Sequence, residues 1–129
     1  QLSLPYNIKV DYFHLDRDLD EEARLLRKLN PSGAPFAFVH DDPEKGFNLN
    51  TDYVENKDLK IIRNDPTENV FHFLGILEQA EEIHCMESCF KSLIEIYAKT
   101  DKLFYHDFRG HPLGTRTNKQ WEIIKYDRA

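Results

Sequence analysis

Three apolar segments of the chain carry a histidine at or near their ends. His40 ends FAFVH at 36–40, His84 lies within EIHCM at 82–86, and His106 ends KLFYH at 102–106. Imidazole exchanges protons near neutral pH and is also a common metal ligand. Three histidines in similar places therefore predict a titratable site, if the fold brings the three segments together.

Each of these segments has the length and composition of a β-strand. FAFVH is apolar throughout, which is typical of a strand buried on both faces. Apolar residues at helical spacing, with Pro and Gly at the breaks, indicate helices between the strands. We predict a short strand around Ile8–Tyr12, strands at 36–40, 59–63, 82–86, 102–106 and 121–126, and helices at 20–29, 70–82 and 87–100.

This alternation predicts right-handed βαβ crossovers. The fold class is therefore expected to be α/β: a Rossmann-like, three-layer α/β/α domain with a mostly parallel sheet of four to five strands. With 129 residues and no internal repeat, the chain is expected to form one domain over residues 1–129.

A parallel sheet places the carboxyl ends of its strands along one edge, where ligands of open α/β folds bind. The three histidines are expected to meet other polar residues at that edge. The alternative is that polar residues simply mark where each strand ends. The additional edge residues predicted from the chain are Asp41, Asp42, Arg63, Asn64, Glu87, Ser88, Asp107 and Arg109.

The predicted strand-to-helix corner at 83–95 is the most informative segment. Ser88 would lie in the first turn of the helix, where a hydroxyl group can cap the helix or contact a phosphate oxygen. No glycine-rich phosphate-binding motif accompanies it. Cys89 would suit either packing or a thiol nucleophile activated by a histidine.

Composition excludes several functional classes. The net charge of −6 and the scattered basic residues argue against nucleic acid as the partner, and no apolar run is long enough to span a bilayer. No HExxH or paired CxxC motif appears, so no metal is predicted. No signal peptide is visible, and the two cysteines fit reduced thiols in a cytoplasmic protein.

The order of motifs resembles the C-terminal part of bacterial glycosyltransferase-like proteins of GT-B architecture, which act in surface polysaccharide synthesis. The resemblance runs from residue 11 to about 110. Its motifs are FAFVHDD, ILEQAEEIHCMESCF and KLFYHDFRG, preceded by DYFHLDRDLDEEARLL. In that family the corner reads Asp-Ser-Ser-Phe, whereas this chain has Glu87-Ser88-Cys89-Phe90.

The resemblance implies a donor-binding half that binds a sugar nucleotide without a metal or other cofactor, for transfer to a glycan acceptor. It implies that His40, Asp41 and Asp42 line the cleft, and that Glu78 and His84 lie near the nucleoside. It also implies that Ser88 and Phe90 contact the diphosphate or support its loop, and that His106 and Arg109 close the far side of the cleft. The negative charge of the leaving diphosphate would be offset by Arg63, Lys91 or Arg109.

Catalytic residues are not assigned, because the acceptor site and general base of this architecture usually lie in a second, N-terminal domain. The resemblance therefore implies either such a domain outside this sequence or a homo-oligomer. One alternative is a non-catalytic α/β module that binds a small anion or a protein partner. A metal-dependent enzyme that uses the edge histidines is a further alternative.

Overall fold

The computed structural model describes residues 17–86, 89–108 and 119–126, without the side chain of Cys89. The described residues form one five-stranded sheet in which every neighbouring pair is parallel. This arrangement confirms the Rossmann-like α/β class. The strands, in the spatial order β2-β1-β3-β4-β5, are β1 (Phe36–His40), β2 (Lys60–Arg63), β3 (Glu82–Met86), β4 (Leu103–Asp107) and β5 (Glu122–Lys125).

Helix α1 (Leu19–Leu29) precedes the sheet. Asp18 caps it, because the Asp18 carboxylate accepts a hydrogen bond from the Glu21 amide. Acidic residues fill the first turn and basic residues the last turn, as the helix dipole favours. Leu25 on its apolar stripe is fully buried against the sheet.

Two further helices follow β2 and β3. Residues 70–82 were predicted as one helix, but Val70–Phe73 form a 3₁₀ turn and α2 covers Leu74–Gln79. The Asn69 side chain accepts a hydrogen bond from the Phe71 amide at the start of the 3₁₀ turn. At the other end, α2 stops before Ala80, whose backbone is extended. Helix α3 covers Cys89–Tyr97. The predicted strand around Ile8–Tyr12 lies outside the described residues.

The two faces of the sheet are covered differently. On one face, which we call the helical face, Phe38, Ile83 and Cys85 pack against residues of all three helices. On the opposite face, Ala37 packs against Val54 and Leu59. The third layer, in the part of the chain described, is thus the connection from β1 to β2, which contains two 3₁₀ turns.

The strand order places a topological switch point between β1 and β3. The chain leaves β1 over one face of the sheet to reach β2, and leaves β3 through α3 on the helical face to reach β4. The two connections therefore diverge above the carboxyl ends of these neighbouring strands. We call the position between them the β1–β3 crevice. In open parallel sheets it is the usual ligand position.

Candidate functional site

An ion pair joins the carboxyl ends of β1 and β2. The Asp41 side chain is only 2% exposed, and its Oδ2 accepts hydrogen bonds from Arg63 Nη1 at 2.7 Å and from the Leu49 amide at 2.8 Å. The Arg63 side chain is 45% exposed. The buried carboxylate therefore fixes a guanidinium at the edge of the sheet while leaving part of it accessible to an anion.

The loop after β1 forms a closed turn beside the crevice. The backbone groups of Asp42 and Phe47 form two reciprocal hydrogen bonds of 3.0 and 3.1 Å. Gly46 closes the turn at φ 84°, a conformation that L side chains rarely adopt. The Asp42 carboxylate lies 3.9 Å from Lys45 Nζ and is 35% exposed. The turn thus holds one partly exposed carboxylate at the crevice.

His40 lies on the helical face of the sheet. Its ring is 4.5 Å from the ring of Phe90 in α3, and its Nδ1 is 4.0 Å from Cys85 Sγ. Burial lowers the pKa of His40 to about 4, although the charges of Asp41 and Asp42 act in the opposite direction. At neutral pH the imidazole of His40 is therefore uncharged.

The prediction that three histidines meet at one exposed edge is wrong. Strand β3 continues to Met86 and β4 to Asp107, so His84 and His106 are interior strand residues and both are fully buried. They contact each other on the face opposite His40. Side chains alternate between the faces of a strand, so the position of His40 on the helical face separates it from the other two.

A continuous chain of hydrogen bonds runs through this second pair of histidines. Glu82 Oε1 is 2.8 Å from His84 Nε2, and His84 Nδ1 is 2.7 Å from His106 Nε2. His106 Nδ1 is in turn 2.7 Å from the Tyr126 hydroxyl, which also accepts the Asn50 amide at 3.0 Å. We call Glu82, His84, His106 and Tyr126 the buried relay.

The environment keeps both relay histidines neutral. Burial is the largest cause and lowers the pKa of His84, and burial together with the neighbouring His84 lowers that of His106 to about 3. Burial alone would raise the pKa of Glu82. Hydrogen bonds from His84 and from the Glu55 and Asn56 amides outweigh burial, so that the pKa lies below its usual value. Burial raises the pKa of Tyr126.

Glu78 lies away from the carboxyl edge of the sheet. It is in the last turn of α2, next to the amino edge, where the Glu81 amide bonds to the Phe36 carbonyl. Its carboxylate accepts two 2.9 Å hydrogen bonds from Arg17, which also binds the buried Glu22. The geometry thus gives Glu78 a structural ion pair and does not bring it to His84.

A cluster of aromatic rings, which the sequence patterns do not predict, lies next to the carboxyl ends of β4 and β5. The Phe108 ring stacks on Tyr126 at 4.2 Å, Phe47 approaches Phe108 at 5.5 Å, and Tyr53 approaches Tyr126 at 5.9 Å. Tyr53 is 43% exposed. Phe47 and Tyr53 lie between β1 and β2, Phe108 follows β4 and Tyr126 follows β5, so no local spacing in the sequence indicates that they meet.

The buried relay also went unrecognised. Its one sequence signal is an i, i+2 spacing, because Glu82 and His84 must share a face of β3. Tyr126 gives no such signal, since its place depends on how β5 pairs with β4.

Three predicted site residues, Glu87, Ser88 and Arg109, lie outside the described residues. Within residues 17–86, 89–108 and 119–126, no group of three or more His, Cys, Asp or Glu side chains is arranged to hold a metal ion. The Cys85 thiol is buried and donates a hydrogen bond to the Met86 carbonyl at 2.9 Å. No helix in the described part of the chain is long and apolar enough to cross a membrane.

A groove of about 440 Å³ lies at the opposite edge of the sheet, between the end of α1 and the start of β1. Asn30, Gly33 and Phe36 are among its lining residues. None of the predicted site residues lines this groove.

Comparison with known proteins gives no relative for this chain: no protein-family model, curated protein or solved structure was found that matches it.

Proposed function

We propose that this domain binds a sugar nucleotide in the β1–β3 crevice, as the donor-binding part of a glycosyltransferase-like protein. The observation that carries the proposal is the strand order β2-β1-β3-β4-β5, which makes the connections after β1 and β3 diverge. Doubly wound sheets of this order bind phosphate-containing ligands where the connections part.

The charges at the crevice suit a nucleoside diphosphate. Arg63 offers a guanidinium held in place by the buried Asp41, and guanidinium groups bind phosphate oxygens through paired N–H donors. Asp42 offers a partly exposed carboxylate that can accept hydrogen bonds from sugar hydroxyl groups. Helix α3 begins next to the same gap, where its dipole favours negative charge.

A purely binding role is the second candidate, and the buried relay favours it. His84 and His106 are fully buried, so neither imidazole can reach a ligand in the crevice to act as a general acid or base. His40 is the remaining edge histidine, and its lowered pKa makes it a weak base. The domain on its own is therefore expected to bind its ligand without turning it over.

Calorimetric titration with UDP-, GDP- and ADP-linked sugars tests the proposal. We expect saturable binding of at least one donor, with the free nucleoside diphosphate as a competitor. Arg63→Gln should weaken binding at least about tenfold, the effect of losing one charge-assisted hydrogen bond. The matched control is Arg27→Gln, an exposed arginine at the other edge of the sheet, which should leave affinity unchanged.

Two outcomes would contradict the proposal. One is the absence of a heat of binding for every donor and for the free nucleoside diphosphates. The other is equal weakening by Arg63→Gln and Arg27→Gln, which would move the binding site away from the crevice. Binding of a donor without hydrolysis or transfer would favour the purely binding role over the enzyme.

A further inference from the structure

The buried relay holds one segment of the chain at both of its ends. The Glu82 carboxylate, at the start of β3, accepts hydrogen bonds from the Glu55 and Asn56 amides at 2.8 and 3.0 Å. At the other end, the Tyr126 hydroxyl accepts the Asn50 amide at 3.0 Å. We call residues 50–56 the strap, because this segment crosses the sheet face that the helices leave uncovered.

The relay has a single consistent arrangement of protons when both histidines are neutral. The Glu82 carboxylate can only accept, so His84 must donate from Nε2 and accept at Nδ1. His106 must then donate from Nε2 to His84, which leaves its Nδ1 to accept from the Tyr126 hydroxyl. Tyr126 O is thereby free to accept the Asn50 amide. Every ring nitrogen is used once, and no site remains for an additional proton.

We propose that the relay is an acid-sensitive latch, which holds the strap on the sheet at neutral pH and releases it when an imidazole of the relay takes up a proton. A second proton on His106 would turn Nδ1 into a donor facing the Tyr126 hydroxyl, and the hydroxyl hydrogen would have to leave this contact. Protonation would also place a positive charge inside the buried relay, which costs free energy because the charge is not hydrated. Release of the strap would lower this cost by exposing the ring to water.

Charged groups of both signs lie on the strap or next to it. Glu55 favours a protonated His84 and Lys57 disfavours it, while Lys102 lies 3.5 Å from Glu55 and offsets its charge. The Tyr53 ring covers His106 at 5.8 Å.

The other charged groups lie in the sheet and directly after β1. Glu82 favours a protonated His84, and Asp41, paired with Arg63, acts on Tyr126. Burial outweighs these carboxylates, because the pKa values of both relay histidines lie below the usual 6.5. Release of the strap would bring water to the imidazoles and return them towards that value, so protons favour the released state.

Hydrogen exchange measures the latch directly, in the chain without any ligand. The Asn50, Glu55 and Asn56 amides should be protected at about pH 7.5, and their protection factors should fall by up to about tenfold for each pH unit below about 6.5. Amides of α1 and α3 should keep their protection over the same range. Unchanged strap protection down to about pH 5, or a fall in step with both helices, would overturn the proposal.

Tyr126→Phe opens the latch without acid, because it removes both the donor to His106 and the acceptor of the Asn50 amide. We expect strap protection at neutral pH to fall at least about tenfold. Tyr53→Phe is the matched control, since the Tyr53 hydroxyl is not part of the relay, and it should leave protection unchanged. Equal effects of the two variants would refute the assignment of the strap to Tyr126.

Imidazole nitrogen NMR spectra of the unmodified chain supply an independent readout. Both His84 and His106 should be neutral Nε2–H tautomers at neutral pH. An Nδ1–H tautomer or a charged ring at either position would contradict the proton arrangement on which the latch depends. This test does not depend on whether a sugar nucleotide binds, so the latch and the proposed function can fail separately.

Discussion

Replacing Glu82 with Gln should destabilise the fold far more than its small change in size suggests. The Glu82 carboxylate is fully buried and accepts three hydrogen bonds: from the Glu55 amide, the Asn56 amide and His84 Nε2. Oε1 accepts the hydrogen bonds from Glu55 and His84, and Oε2 accepts the one from Asn56. In Gln, one of these two oxygens is replaced by an NH₂ group, which can only donate. In either orientation of the amide, at least one N–H group loses its acceptor. The remaining N–H groups keep an acceptor, but it is now neutral instead of charged.

The expected cost follows from these contacts. A hydrogen bond to a charged group contributes about 1.5–3 kcal/mol, and a partly buried donor without an acceptor adds its own desolvation cost. We therefore expect Glu82→Gln to lower the free energy of unfolding by about 2–3 kcal/mol. Urea denaturation followed by circular dichroism measures the change, provided that the m-value is unaltered.

Glu81→Gln is the control, because it is the same substitution at an exposed neighbour. It should change the free energy of unfolding by no more than about 0.5 kcal/mol. If Glu82→Gln also stayed within that range, Glu82 would not be a buried acceptor of three hydrogen bonds. The buried relay would then not begin at Glu82.

Three other perturbations have defined outcomes. The imidazoles of β1, β3 and β4 have pKa values below 6.5 in the folded chain. The free energy of unfolding should therefore be at its full value above that pH and fall below it, by up to about 1.4 kcal/mol per pH unit for each ring. Denaturation series at several pH values measure this decrease. Arg17→Ala leaves the buried Glu22 without its cation and should cost about 2 kcal/mol in urea unfolding, whereas Arg27→Ala on the exposed side of α1 should cost little. Gly46→Ala forces an L side chain to φ 84° and should cost about 1 kcal/mol in thermal unfolding, although the added Cβ would meet no atom within 4 Å.

The order of elements was predictable because it depends on local patterns. β1 and β3 have the predicted limits, since FAFVH and EIHCM are short apolar runs between residues that favour turns. Helix α2 was predicted too long. The apolar spacing over 70–82 continues through Val70–Phe73, and spacing alone does not distinguish a 3₁₀ turn from the first turn of an α-helix.

The site was harder to predict because a strand end does not specify a face. One residue of register moves a side chain to the other side of the sheet, so an imidazole at the last position of β1 and one at the third position of β3 point in opposite directions. The pairing of the Asp41 carboxylate with Arg63 depends on contacts between β1 and β2, and no spacing within the sequence reports it. The divergence of the connections, by contrast, follows from the strand order.

The position of β1 in the sheet has a consequence for synthesis on the ribosome. β1 emerges before both of its neighbours in the sheet, which begin at Lys60 and Glu82. Until β3 has left the exit tunnel, the nascent chain contains an apolar strand with at least one bare edge, the kind of surface that chaperones bind and that promotes misassembly. A ribosome-stalled chain in which β3 is still inside the tunnel should therefore be protease-sensitive, and one in which β3 and β4 have left the tunnel should begin to resist digestion.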